Sequence, residues 1–139
     1  MTIRKLQKSD AALAAELIKQ LTQNIIEPEN LTGRLENLAQ AENCQYFVAE
    51  EGAGLVGFAG LVWYVIPSKG LMGWVEEVVV EQTRRNQGIG ARLLEVILRL
   101  AKAKGLVQLK LTTANPAARH LYEKLGFNRK TEDLLVKKF

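Results

Sequence analysis

Cysteine and histidine are nearly missing from this 139-residue chain, which has one of each, Cys44 and His120. A single cysteine excludes an intramolecular disulfide and a cysteine-rich zinc site. A single histidine leaves little for a His-based centre, so no metal is expected. Prolines number three, and no stretch is rich in Pro, Gly or Ser. That argues against a linker and for one domain over residues 1–139. Internal repeats and low-complexity tracts are absent too. No apolar run reaches membrane-spanning length, because Arg92, Glu95 and Arg99 interrupt the best candidate. Residues 1–10 read MTIRKLQKSD, without the apolar run of a secretory signal. The expectation is a soluble cytoplasmic protein with no membrane partner.

What the chain does have is an ordinary globular balance. Hydrophobic residues make up 47% and charged residues 24%, enough to bury a core without staples. Nineteen Lys and Arg against fifteen Asp and Glu give a net charge of +4. That suits an anionic ligand, a nucleic acid or an acidic surface, and chooses among none of them. No basic stripe interleaved with aromatics is present, so a nucleic-acid partner is not expected.

Hydrophobic spacing predicts a strand over Thr2–Leu6 and a helix from Ala11 to Leu21, capped by Ser9 and Asp10. A weaker helix is expected over Thr32–Ala39, with TQNIIEPEN before it as a loop. Three strands follow: Gln45–Glu51, Leu55–Ile66 and Leu71–Val80, joined by tight turns at residues 52–54 and 67–70. Gly88–Lys104 reads as the longest helix, with Gly105 as its left-handed cap. Leu106–Thr112 is the next strand. Asn115 and Pro116 open a last helix as N-cap and first helical residue, ending at Leu125 and Gly126. Asp133–Phe139 is expected as a final strand. The order is β-α-α-β-β-β-α-β-α-β, an α/β mixed sheet with packed helices.

The most informative stretch is VVVEQTRRNQGIGARLL, residues 78–94. A β-branched strand runs into a polar loop, which enters the long helix at Gln87-Gly88-Ile89-Gly90. Amides in a first helical turn have no intrahelical partner and lie at the positive end of the helix dipole. Two glycines remove the Cβ atoms that would hold a phosphate away. Arg84, Arg85 and Arg92 add positive charge. The combination suits a pyrophosphate. It is not a P-loop, since Gly90 is followed by Ala91-Arg92. It is not a dinucleotide fingerprint, since the third small residue would fall on Leu93. Two glycines here also serve a plain tight turn; the arginines tip the reading toward an anion site.

Arg85-x-x-Gly88-x-Gly90 after a Val-rich strand resembles the acetyl-CoA motif of the GNAT superfamily of N-acetyltransferases. Downstream, Asn115-x-x-Ala118-x-x-x-Tyr122-Glu123-Lys124-Leu125-Gly126-Phe127 is similar to that superfamily's C-terminal signature. Asn86 stands where many members carry Gly, and Asn tolerates left-handed backbone angles. The resemblance implies a largely antiparallel sheet splayed into a V between the strand ending at Val80 and the strand from Leu106, with helices on both faces. It implies acetyl-CoA as cosubstrate. The backbone around Val78, Val79 and Val80 would meet the pantetheine arm. The amides of Gln87, Gly88, Ile89, Gly90 and Ala91 would cradle the pyrophosphate, with Arg85 and Asn86 in the same loop. Asn115 would contact the pantetheine end, and Tyr122 the sulfur. The acceptor implied is a small-molecule or peptide amine, and the resemblance allows a homodimer.

Acetyl transfer needs a neutral amine, a donor for the oxyanion and a proton for the leaving thiolate. Tyr122 suits the last, although a tyrosine beside Leu121 and Leu125 also fits plain core. Glu76 and Glu77 are candidates to steer or deprotonate the amine. Strand alternation sends them to opposite faces unless a bulge intervenes. Glu76 is favoured, because WVEEVVV resembles the IEDVVV-like strand of glucosamine-6-phosphate N-acetyltransferases. Of Trp63, Tyr64 and Trp74, one or two are expected to wall the acceptor pocket. His120 reads as a surface residue and Cys44 as inert. The competing function is a non-catalytic acyl-CoA-binding sensor on the same fold.

Overall fold

The computed structural model describes residues 1–23 and 25–139; residue 24, in the expected early loop, lies outside them. Among the described residues, five strands form one sheet in the order β1 (Thr2–Lys5), β2 (Cys44–Glu51), β3 (Gly54–Ile66), β4 (Gly70–Val80), β5 (Gln108–Lys110). The first three pairings are antiparallel and β4–β5 is parallel. The helices are α1 (Ala11–Leu21), α2 (Pro28–Leu38), α3 (Ile89–Lys104) and α4 (Pro116–Lys124).

Period-2 alternation sends the sheet's side chains to two separate cores. On one face Tyr46, Val48, Phe58 and Val79 pack against Ala14, Leu17 and Ile18 of α1 and Leu31 and Leu35 of α2. On the other, Phe47, Ala59, Leu61 and Val75 pack against Leu93, Leu94 and Ile97 of α3, with Leu121, Tyr122 and Leu125 of α4 at the margin. Helices therefore cover both faces, as the resemblance implied.

The parallel pairing is short. Met72, Gly73 and Trp74 pair with Gln108, Leu109 and Lys110. Beyond that row β4 continues to Val80 while β5 stops. The two diverge, giving the V.

Three expectations change. The second helix starts at Pro28 rather than Thr32: Pro sits in its first turn, where its missing N–H leaves no bond unmade. The strand expected over Leu106–Thr112 is paired only at Gln108–Lys110, because its continuation faces the cleft. The final strand expected over Asp133–Phe139 does not form: Leu135 is 90% exposed and Val136 74%. β5 offers an edge of only three residues, and charged residues flank the short apolar run Leu134–Val136, so pairing there would bury little.

Candidate functional site

The last strand residues of β4 depart from regular pairing. Phe58 pairs with Val79 and Gly60 with Glu76, so Ala59 alone faces Glu77 and Val78. This is a bulge. Glu77 takes a left-handed backbone, φ 55, which leaves the extra residue outside the ladder. The bulge brings both glutamates to the same opening, where alternation alone would have separated them. A cavity of about 380 Å³ at the mouth of the V is lined by Glu76, Glu77, Val78, Asn115 and Tyr122, with Trp74 beside them. The sequence reading chose between the glutamates; the structure brings both in. Both are exposed along the cleft. Water displaced by the surrounding walls, and then the charge of Glu76, push the Glu77 carboxyl above its ordinary value.

Tyr122 is held from α4. The helix ends with Gly126 at φ 95, and the Phe127 N–H donates back to the Tyr122 carbonyl at 3.1 Å. This left-handed closure folds Phe127 against Tyr122, ring centroids 6.0 Å apart. Burial raises the Tyr122 hydroxyl above its usual value, so it stays protonated at neutral pH. Asn115 caps α4, its Oδ1 accepting from the Ala117 N–H at 2.9 Å. Its side-chain NH₂ remains available to the cavity.

The loop before α3 has the expected shape. Asn86 (φ 62) and Gly88 (φ 80) are both left-handed, and Asn86 manages the angle that glycine usually takes. Gly88 caps α3, and the helical ladder begins with the Arg92 N–H to the Gly88 carbonyl at 3.1 Å. The amides of Ile89, Gly90 and Ala91 precede that first bond and point out of the helix end. A Cβ on Gly88 would meet nothing within 4 Å, and one on Gly90 would lie 3.7 Å from Val80 and 4.0 Å from Leu121. The open helix end thus lies between the end of β4 and α4, the helix that carries Tyr122.

Of the three arginines, Arg84 is already engaged. It pairs with Glu51 at 2.7 Å and donates to the Gln87 Oε1 at 3.0 Å, and Glu51 raises its guanidinium's hold on the proton. Arg85 donates from Nε to the Val80 carbonyl at 3.2 Å, and Arg92 is exposed. Of the aromatics, Trp63 lies under Lys104, Nζ 4.2 Å from the ring centroid, on the α3 side. Trp74 lines the cavity and donates to the Tyr64 hydroxyl at 2.9 Å. His120 is exposed; Cys44 is buried and its thiol is pushed up by burial, both as expected.

Residues 12–127 match the model of the acetyltransferase (GNAT) family. The chain belongs to the GNAT family. An N-alpha-acetyltransferase RimI from Mycobacterium tuberculosis is 34% identical over 93% of this chain and 79% of that protein. A glucosamine 6-phosphate N-acetyltransferase from Trypanosoma brucei brucei is 28% identical over 91% of this chain and 88% of that one. A Clostridium acetobutylicum acetyltransferase solved with acetyl-CoA has the same GNAT fold, TM-score 0.82 at 23% identity, covering 98% of this chain and 95% of that. Family and named relatives together support N-acetyltransferase activity. Among the described residues no helix is long and apolar enough to cross a membrane, and no cluster of three or more His, Cys, Asp or Glu is placed to hold a metal ion.

Proposed function

We propose that this chain is an acetyl-CoA-dependent N-acetyltransferase acting on a primary amine of a small molecule or peptide, by direct transfer in a ternary complex. One observation carries the proposal: Glu76 and Glu77 of β4 and Asn115 and Tyr122 of α4 with its cap, about forty residues apart in the chain, line one cavity at the mouth of the V. Acetyl-CoA supplies the acetyl group as an activated thioester.

The chain's own residues divide the work. Open amides from Gln87 to Ala91 bind the diphosphate, with Arg85 and Asn86 in the same turn. The space beside Gly88 fits such a group, because nothing stands within 4 Å of a Cβ placed there, and a Cβ on Gly90 would make only ordinary contacts. The backbone of Val78 and Val80 takes the pantetheine arm as an added strand, while the Val79 side chain anchors β4 in the opposite core. Asn115 uses its free NH₂ toward the same arm. Tyr122, kept protonated by burial, gives a proton to the departing sulfur. Glu76 and Glu77 draw the amine in and take up its proton. The acceptor chemistry of the relatives, an N-alpha amine in one and an amino sugar in the other, supports a primary amine.

A thiol-release assay across a panel of amino sugars, polyamines, amino acids and peptide N-termini tests this. Turnover with a member of the panel is expected. Tight acetyl-CoA binding without turnover across the whole panel would instead favour the sensor.

A further inference from the structure

Three residues form one row across the sheet: Tyr46 on β2 pairs with Gly60 on β3, which pairs with Glu76 on β4. Gly60 has no side chain, and the Tyr46 ring occupies the place where one would stand. A Cβ on Gly60 would lie 2.2 Å from Tyr46 Cε1 and 2.6 Å from Cζ. The ring is clamped in that position by stacking on Phe58, centroids 5.2 Å apart. A tyrosine laid across its neighbouring strand carries its hydroxyl toward the strand after that, which here is the β4 bulge. Tyr46 is 6% exposed, and no described residue accepts a hydrogen bond from its hydroxyl. Yet among the described residues no side-chain polar atom is both sealed from solvent and unpartnered. The hydroxyl therefore reaches water.

We propose that Tyr46 is a positioning residue for the amine-handling carboxylates: carried across Gly60, its hydroxyl donates through one water to the Glu76–Glu77 bulge and favours the charged form that attracts a cationic amine. This rests on the acetyltransferase reading above. Burial first, then the charges of Cys44, Glu76 and Glu77, push the Tyr46 hydroxyl well above its usual value, so it remains a donor at any working pH. Of the charged groups on the neighbouring elements, Lys19 and Glu16 of α1 pair with each other. Arg4 on β1 is taken up by Asp10 and Glu50. Helices α1 and α2 turn apolar side chains inward here, Leu17, Ile18, Leu31 and Leu35 among them. Across the cavity stand the hydroxyl of Tyr122 and the amide of Asn115.

The test is Tyr46→Phe, which removes the oxygen and keeps the stacked ring. Its kcat/KM for the amine should fall roughly three- to tenfold, with acetyl-CoA affinity at the parental level. The acid limb of its pH profile should move upward by about half a unit, because a carboxylate that loses a donor holds its proton longer. A Tyr46→Phe protein with parental kcat/KM and acid limb would overturn the proposal. Carbon-13 NMR titration of the glutamate carboxyls gives a second readout that needs no turnover. The same upward movement in the apparent values of the pair supports the role, and unmoved titrations overturn it. A parent protein that turns over no amine sinks the acetyltransferase reading alone, and the NMR result still decides the case of Tyr46.

Discussion

The two halves of the sheet are built on opposite terms. From β1 through β3 pairing is nearly continuous: β2 and β3 pair from Cys44 opposite Val62 to Glu51 opposite Gly54, with one register shift between Ala49 and Glu50. Charges there are closed on each other, with Arg4 donating to Asp10 at 2.8 and 2.9 Å and also to Glu50. At the far end β4 and β5 share one three-residue row, a bulge unpairs the ladder at Glu77, and a helix leaves its first amides open. The chemistry proposed here collects where backbone pairing is unfinished, because unpaired groups are the ones open to a ligand. The paired half supplies the rigidity against which those loose groups stay placed.

That contrast can be broken at either end. The largest effect is expected from Gly90→Glu: a carboxylate among the open amides should weaken acetyl-CoA binding by more than about a hundredfold, while thermal unfolding stays near parental. Isothermal titration calorimetry checks the affinity and scanning calorimetry the unfolding, and undiminished affinity would remove the cradle. Tyr122→Phe comes next. Turnover should drop by roughly ten- to a hundredfold with little change in acetyl-CoA affinity, read by steady-state kinetics beside equilibrium binding. A parental rate would show that the proton comes from elsewhere.

In the closed half, Asp10→Asn should cost about 2 kcal/mol in denaturant unfolding and leave acetyl-CoA binding alone. The Arg4 guanidinium holds the Asp10 carboxyl below the ordinary carboxylate range. Its contribution is thus complete above the unfolded-chain value, about 3.9, and is lost as pH falls through the lower folded value. Parental stability should drop across that acid window, and the variant should lack that part of the drop. The smallest effect belongs to Glu76→Gln: a several-fold loss in amine kcat/KM, greatest at low pH, where the amine is charged. An unchanged profile would leave the work to Glu77.

Much of this was legible in the sequence because the signals were local. Gly88 and Gly105 mark the ends of α3, Asn115 and Pro116 open α4, and the turns of the central meander announce themselves. The turn through Asn86 takes the left-handed angle that its residue type allows. What stayed hidden depends on distant partners. The bulge at Glu77 is invisible in WVEEVVV, because a left-handed glutamate has no composition signature; it follows from the register against β3. Arg84 looked like part of the anion site until Glu51, thirty-three positions earlier, was seen to hold it. Leu134–Val136 has the composition of a strand but not the edge to pair with. Tyr46 carried no motif, and only its crossing over Gly60 brings it to notice.

The Arg85 contact has a further consequence. Its Nε already rests on the carbonyl at the end of β4. That oxygen keeps a second lone pair, so an amide of the proposed pantetheine arm would share it with the Arg85 Nε rather than compete for it. In the proposed reading, one carbonyl then holds both the arm and the base of a guanidinium a few residues before the open turn.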